Sequence, residues 1–223
     1  MKKISFSDKY GLTALVLNGI KTMTRRAIPM KLLLDAMVYS GGDTKQRDKF
    51  LLQHAPYKVG DVVAVSQSYK TIYDELEERK GNAVANAWWC DLHDRIGEVE
   101  TKPGYRNKMY VRADMMPHQI KFTKSKVELL RDVSEHDCCA EGIVPCVFPI
   151  YEGSRLVEEK PGYTLYHWKE DIEDTWSIGG DPLQFMADKP DTALCVLLYK
   201  LTHDKTFIEK NPLMYAYEYK LIA

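Results

Sequence analysis

Between Asn18 and Arg26 the sequence reads Asn-Gly-Ile-Lys-Thr-Met-Thr-Arg-Arg. Lys21, Arg25 and Arg26 supply three cations there, and Thr22 and Thr24 supply two hydroxyls. Charged donors beside hydroxyls form a natural place to hold an anionic or polar ligand. The same residues also fit a solvated basic strand end, so both readings stand at this level. Glu141 is a second position with chemical potential. Ser134 reads as the N-cap of a helix, with Asp137 in capping-box relation, and Gly142 reads as its end. Glu141 then falls in the last turn, where a carboxylate opposes the helix dipole at a cost of roughly 0.5 kcal/mol. A third feature is Ala87-Trp88-Trp89-Cys90. Read as a strand, it sends one indole to each face, and an exposed ring can stack a nucleobase for about 1–3 kcal/mol; the alternative is a packed tryptophan pair.

The elements that must position these groups follow from periodicity. Leu12, Leu15 and Val16 share a helical face, Ser7 or Asp8 can cap that helix, and Gly19 suits the left-handed residue past its end. Beyond it the chain alternates as a strand, with Ile20, Thr22 and Thr24 on one side and Lys21, Met23 and Arg25 on the other. Lys21 and Thr24 therefore diverge unless a bulge or turn intervenes near Thr22-Met23. Residues 30–54 read as helical with an interruption at Gly41-Gly42-Asp43, and Val62–Ser66 reads as a buried strand. Asp74–Lys80 is a charged helix-compatible run, and residues 144–190 are rich in loop-forming Pro and Gly. Thr192–Tyr199 is strongly apolar, and Tyr215–Leu221 alternates cleanly as a strand.

Composition restricts the function classes. The formal net charge of −1 does not suit a strong non-specific nucleic-acid binder, but the charge is unevenly spread. Residues 1–31 hold seven Lys/Arg against one acid, and residues 104–126 hold six against one. Residues 152–191 hold ten acids against four bases. One basic face is therefore expected, with much of the acidity between the basic segments. No apolar run reaches the ~18–20 residues that span a bilayer, and no apolar stretch follows Met-Lys-Lys as in a signal peptide. Five cysteines without a Cys-x-x-Cys pair suit reduced thiols in a cytoplasm. His136 with Cys138 or Cys139 gives at most two ligands in one place, so no metal and no cofactor is expected.

Four segments in order resemble the ASCH domain family of the PUA-like superfamily, in its phage or prophage form. They are Ile4-Ser5-Phe6-Ser7 through Lys21-Thr22 to Thr24-Arg25-Arg26, then Tyr57–Val62, then Leu129–Glu135 through Ala140-Glu141-Gly142-Ile143, and finally Asn211–Tyr219. The resemblance implies an α+β chain built on a PUA-like mixed or antiparallel β-barrel with flanking and inserted helices. It also implies a single domain over 1–223, with insertions at about 30–54, 70–105 and 144–190.

Small bacterial members similar in the first motif hydrolyse N4-acetylcytidine without a metal. Their functional lysine, threonine and glutamate match Lys21, Thr24 and Glu141, so those three are the catalytic candidates that the resemblance implies. In such a site the threonine hydroxyl needs a base, and a lysine serves once desolvation or nearby cations lower its pKa. Glu141 would carry a proton to the leaving amine. Thr22, Arg25, Arg26, Tyr69 and Trp88 are the ligand-binding candidates. The competing reading is a non-catalytic module for RNA or a modified nucleotide, with Lys21, Arg25 and Arg26 on phosphate and an aromatic such as Tyr69 or Trp88 stacking a base. A third is a phage accessory protein that binds a host protein through its acidic segments. The expected partner is RNA or a modified nucleoside or nucleotide, not a membrane, in a bacterial cytoplasm.

Overall fold

A computed structural model describes residues 1–152, 155–166, 168, 187–204 and 206–222. Its elements run β1 (Lys2–Ile4), α1 (Leu12–Leu17), β2 (Met23–Ala27), α2 (Met30–Ser40), α3 (Thr44–His54), β3 (Val62–Val65), α4 (Tyr69–Lys80) and α5 (Asn82–Ile96). They continue with β4 (Gln119–Leu129), α6 (Glu135–Ala140), β5 (Ile143–Glu152), β6 (Arg155–Leu165), α7 (Pro190–Thr202) and β7 (Leu213–Leu221). The class is α+β with mixed sheets, as expected, and no sheet among the described residues closes into a barrel.

The chain divides into two compact units, one made of Met1–Phe6, Asp61–Lys121 and Leu221–Ala223, the other of Ser7–Gly60 and Phe122–Lys220. In the first, β1 runs parallel to β3 with Ile4 opposite Val65, and β3 pairs antiparallel with the start of β4, Val63 opposite Ile120. Val63, Ala64, Val65 and Ile120 are fully buried, the burial on both faces that a continuous apolar run predicts. Tyr69 and Ile72 of α4 and Leu92 of α5 meet Val99, Val111, Met115 and Met116 in one core. Trp88 and Trp89 pack half-buried against that core from a helix, not from the strand expected of them. The alanine-rich surroundings from Asn82 to Ala87 favour helix, and a double tryptophan has no means of overriding them.

In the second unit the remainder of β4 lies beside β7, and β7 beside an antiparallel β2 with Thr24 opposite Tyr217. The helical segment 30–54 breaks where Gly41 and Gly42 take positive φ, and Asp43 then caps α3 by accepting from the Lys45 and Gln46 N–H groups at 2.7 and 3.2 Å. Tyr215 donates its hydroxyl to the Leu51 carbonyl at 2.9 Å and so fastens α3 to β7. The start of the loop-rich segment is instead a long antiparallel ribbon, β5 with β6. A two-stranded ribbon leaves half its N–H groups outside the ladder, which is how it admits Pro145, Pro149 and Pro161. Trp168 is buried edge-on to Tyr10, and Trp176 lies outside the described residues.

One packing constraint is directly testable. A Cβ on Gly104 would stand 2.7 Å from the Tyr69 ring and 3.3 Å from the Tyr110 carbonyl. Gly104→Ala should therefore cost about 1–3 kcal/mol, the usual penalty of overpacking, measured by urea unfolding. An unchanged midpoint would show that the Tyr69 ring has room to move.

Candidate functional site

The corner between α1 and β2 is closed by the backbone. Gly19 takes φ +72° and its N–H donates to Val16 O, while the Ile20 and Lys21 N–H groups both reach Leu15 O at 2.9 and 3.0 Å. That closure ends α1 where glycine permits it and turns the chain toward the strand. Ser7, proposed as a cap, makes no side-chain capping bond; α1 starts instead after Gly11, and Asp8 accepts from the Thr13 hydroxyl at 2.5 Å. The Thr22 N–H donates to Ala140 O at 2.8 Å, and Thr22 O accepts from the Tyr219 N–H at 2.9 Å. The corner is thereby pinned between the last turn of α6 and the strand β7.

Helix α6 begins as its sequence predicts, with the Asp137 N–H donating to the Ser134 hydroxyl at 3.2 Å. It ends at Gly142, φ +99°, where a Cβ would lie 2.9 Å from Leu15 Cδ1. Glycine is required twice over there, and its position fixes Glu141 beside Lys21.

Lys21 Nζ donates to the Glu141 main-chain carbonyl at 3.1 Å and also to Glu141 Oε2. An ammonium at the carbonyl end of a helix complements its dipole, and the same ammonium neutralises the carboxylate that would otherwise oppose it. Arg25, on the same side of the strand as Lys21, bonds Glu141 Oε1 at 3.1 Å, Glu128 Oε1 at 2.6 Å and Asp137 Oδ2 at 3.3 Å. Lys126 closes the circuit on Glu128 at 2.8 Å and Asp137 at 2.6 Å. Three cations thus face three carboxylates. Lys21, Arg25 and Glu141 are only 2%, 4% and 3% exposed.

Electrostatics divides this network. Burial lowers the Lys21 pKa below the ordinary lysine value, and Arg25 and Arg26 push the same way; contact with Glu141 only partly opposes this. For Arg25 burial also pulls downward, yet Glu141, Glu128 and Asp137 together raise it. Burial would raise the Asp137 carboxyl, but hydrogen bonds from Lys126 and His136 hold it below the usual range. Arg25 Nε is buried without a hydrogen-bond partner among the described residues, so even this network is not fully satisfied.

The sequence candidates separate in space. Lys21, Arg25 and Glu141 come together. Thr24 is 4% exposed and opposes Tyr217 across an unbroken β2–β7 register, so its side chain shares the Tyr217 face and not that of Arg25. No hydrogen bond joins Thr24 to Lys21 or Glu141 among the described residues. Arg26 is half-buried opposite Tyr215, and Thr22 contributes the backbone ties given above. Tyr69 is a correction: it lies in the first unit, 2% exposed, with its hydroxyl accepting from the Arg112 N–H at 3.1 Å. A ring so enclosed has no face to offer a base. Trp88 belongs to the same unit as a helical, half-buried residue. Glu128, Lys126 and Asp137 were not among the candidates. Lys126 and Glu128 could have been found as a same-face i, i+2 pair on β4, and Asp137 by asking what else a capping-box acid touches.

Two outcomes follow. Glu141→Gln should destabilise by about 3–5 kcal/mol, because it leaves the Lys21 ammonium buried without a carboxylate, and Lys21→Met by less, because Arg25 still bonds Glu141 Oε1. The double variant should cost clearly less than the sum in a urea-denaturation cycle; strict additivity would show that the two side chains do not interact. Asp137 has its folded pKa below its unfolded one, so its stabilisation is present above the ordinary carboxylate pKa and is lost as pH falls through the lower, folded value. Asp137→Asn should therefore be less stable than wild type at pH 7, with the gap narrowing on acidification below about pH 4. A gap independent of pH would show that the Asp137 charge is not its source.

No family model, no curated protein and no solved structure matches this chain.

Proposed function

We propose that the Lys21–Glu141 pair is the acid–base centre of a metal-independent amidohydrolase acting on an N4-acylated cytidine or related nucleoside. A single observation carries this reading: a buried lysine, lowered in pKa, in direct contact with a carboxylate. A desolvated amine holds its proton less tightly than a surface lysine and so more often presents the unprotonated form a base needs, and perturbed pairs of this kind concentrate at functional sites. The resemblance to the ASCH family supplies the substrate class, and the PUA-like barrel belongs to the same proposal. With Thr24 on the other face of β2, water is the nucleophile. Lys21, once deprotonated, takes a proton from that water as the oxygen attacks the acyl carbon, and Glu141 relays a proton to the nitrogen as the C–N bond breaks. Cytidine and acetate are the products. Both groups are buried, so the proposal requires substrate entry to uncover them.

The recognition-only alternative finds less support. Arg25, its central phosphate contact, is already bonded to three carboxylates, which leaves Arg26 and the basic N-terminal segment to carry binding.

The test is incubation of the purified protein with N4-acetylcytidine, with cytidine followed by chromatography. Wild type should turn over, Lys21→Ala and Glu141→Gln should lose at least about 100-fold, and Thr24→Val should retain most of the rate. A Thr24→Val variant as inactive as Lys21→Ala would replace water with a threonine nucleophile. Absent turnover, with nucleotide or RNA binding that weakens as salt rises, would establish the recognition module instead.

A further inference from the structure

In the unit that contains Asp61–Lys121, a cavity of about 340 Å³ opens beside α4 and α5, within the size range of small-molecule sites. Three aromatic rings form its walls. Tyr73 and Trp89 meet edge to face with centroids 5.2 Å apart and planes at 72°, and Trp89 meets Tyr105 at 6.0 Å and 66°. The Tyr73 hydroxyl donates to Asn86 Oδ1 at 2.8 Å, which fixes that ring between the two helices. The three rings therefore line one space at steep mutual inclinations.

Two carboxylates, Asp74 and Glu100, line the same cavity, with one cation, Lys70. Lys70 is bonded to Asp74 at 2.5 Å, and Glu100 faces the His93 imidazole at 3.2 Å. The lining side chains carry two carboxylates against one ammonium. An anion would meet π-faces and carboxylates of the wrong sign, with one lysine already engaged. A neutral apolar ligand would gain nothing from Asp74 or Glu100. An alkylated ammonium ion gains from both, since its charge is spread over methyl groups that pack on rings while carboxylates balance it.

We propose that this cavity, walled by Tyr73, Trp89 and Tyr105 and flanked by Asp74 and Glu100, binds a small organic cation bearing an alkylated ammonium group. The site is independent of the reaction proposed for Lys21 and Glu141, and its test does not depend on turnover.

Calorimetric titration of the full chain compares choline with 3,3-dimethylbutan-1-ol, which has the same shape without the charge. Choline should bind roughly 5- to 30-fold more tightly, the span of a cation held over aromatic faces. Glu100→Gln should weaken choline several-fold. Lys70→Gln, which removes the resident competitor for Asp74, should strengthen it. Both positions are exposed, and circular dichroism would confirm that the fold is kept. Trp89→Leu should abolish the preference for the charged ligand. Equal affinity for choline and its neutral analogue would overturn the proposal. So would absence of choline binding at about 10 mM in both wild type and Lys70→Gln.

Discussion

Glu141 accepts Lys21 at both its carbonyl and its carboxylate, and Arg25 at its other oxygen. The second unit is arranged around that convergence. Taking such charges out of water costs several kcal/mol per ion, and attraction offsets this only when nearly every donor and acceptor is matched. The matching comes from elements distant in sequence: α6 brings Glu141 and Asp137, β4 brings Glu128 and Lys126, and β2 brings Arg25. Each must be held in register, and this explains why the local stops are so strict. Gly19 ends α1, Gly142 ends α6, and the Thr22 backbone is tied on both sides. Apolar side chains of similar volume would join the same elements with less desolvation. Charge kept where it is expensive is the feature on which the proposed chemistry rests.

The network also decides which cations are available. Arg25 spends its terminal nitrogens on carboxylates, so the most basic-looking residue of the opening motif is the least free to meet a phosphate. Lys21 is the opposite case, because burial weakens its hold on a proton while Glu141 stands ready to share it. The difference lies in burial and partner count, since both residues carry the same formal charge. A guanidinium with three acceptors stays charged, whereas a desolvated amine with one carboxylate is poised to exchange its proton.

The first unit organises its aromatic residues by helix packing. Trp88 and Trp89, adjacent in sequence, both rest on the core formed by Tyr69, Ile72 and Leu92, while Trp89 also turns an edge toward Tyr73 and Tyr105. The rings that line the cavity thus come from both helices and the turn after them.

Much of the local structure could be read from the chain. The glycine stops at 19 and 142, the Ser134 cap, the break at Gly41-Gly42-Asp43 and the alternation of the terminal strand follow from short-range sterics and hydrogen bonding among a few neighbouring residues, whereas the apolar run at 192–199 did not by itself choose between helix and strand. Lys21, Arg25 and Glu141 were also legible as polar residues worth attention. The sequence could not decide which of them would meet, because strand pairing and helix docking act between residues more than a hundred positions apart. Those long-range forces placed Thr24 with Tyr217, enclosed Tyr69, drew Glu128, Asp137 and Lys126 into the ionic network, and made a ribbon of a segment rich in proline. The two tryptophans show the same limit. Aromatic identity suggested a strand, but helix propensity and packing against Leu92 prevailed. Backbone geometry is a local property and was written in the sequence; burial and charge pairing are collective, and only the tertiary structure decided them.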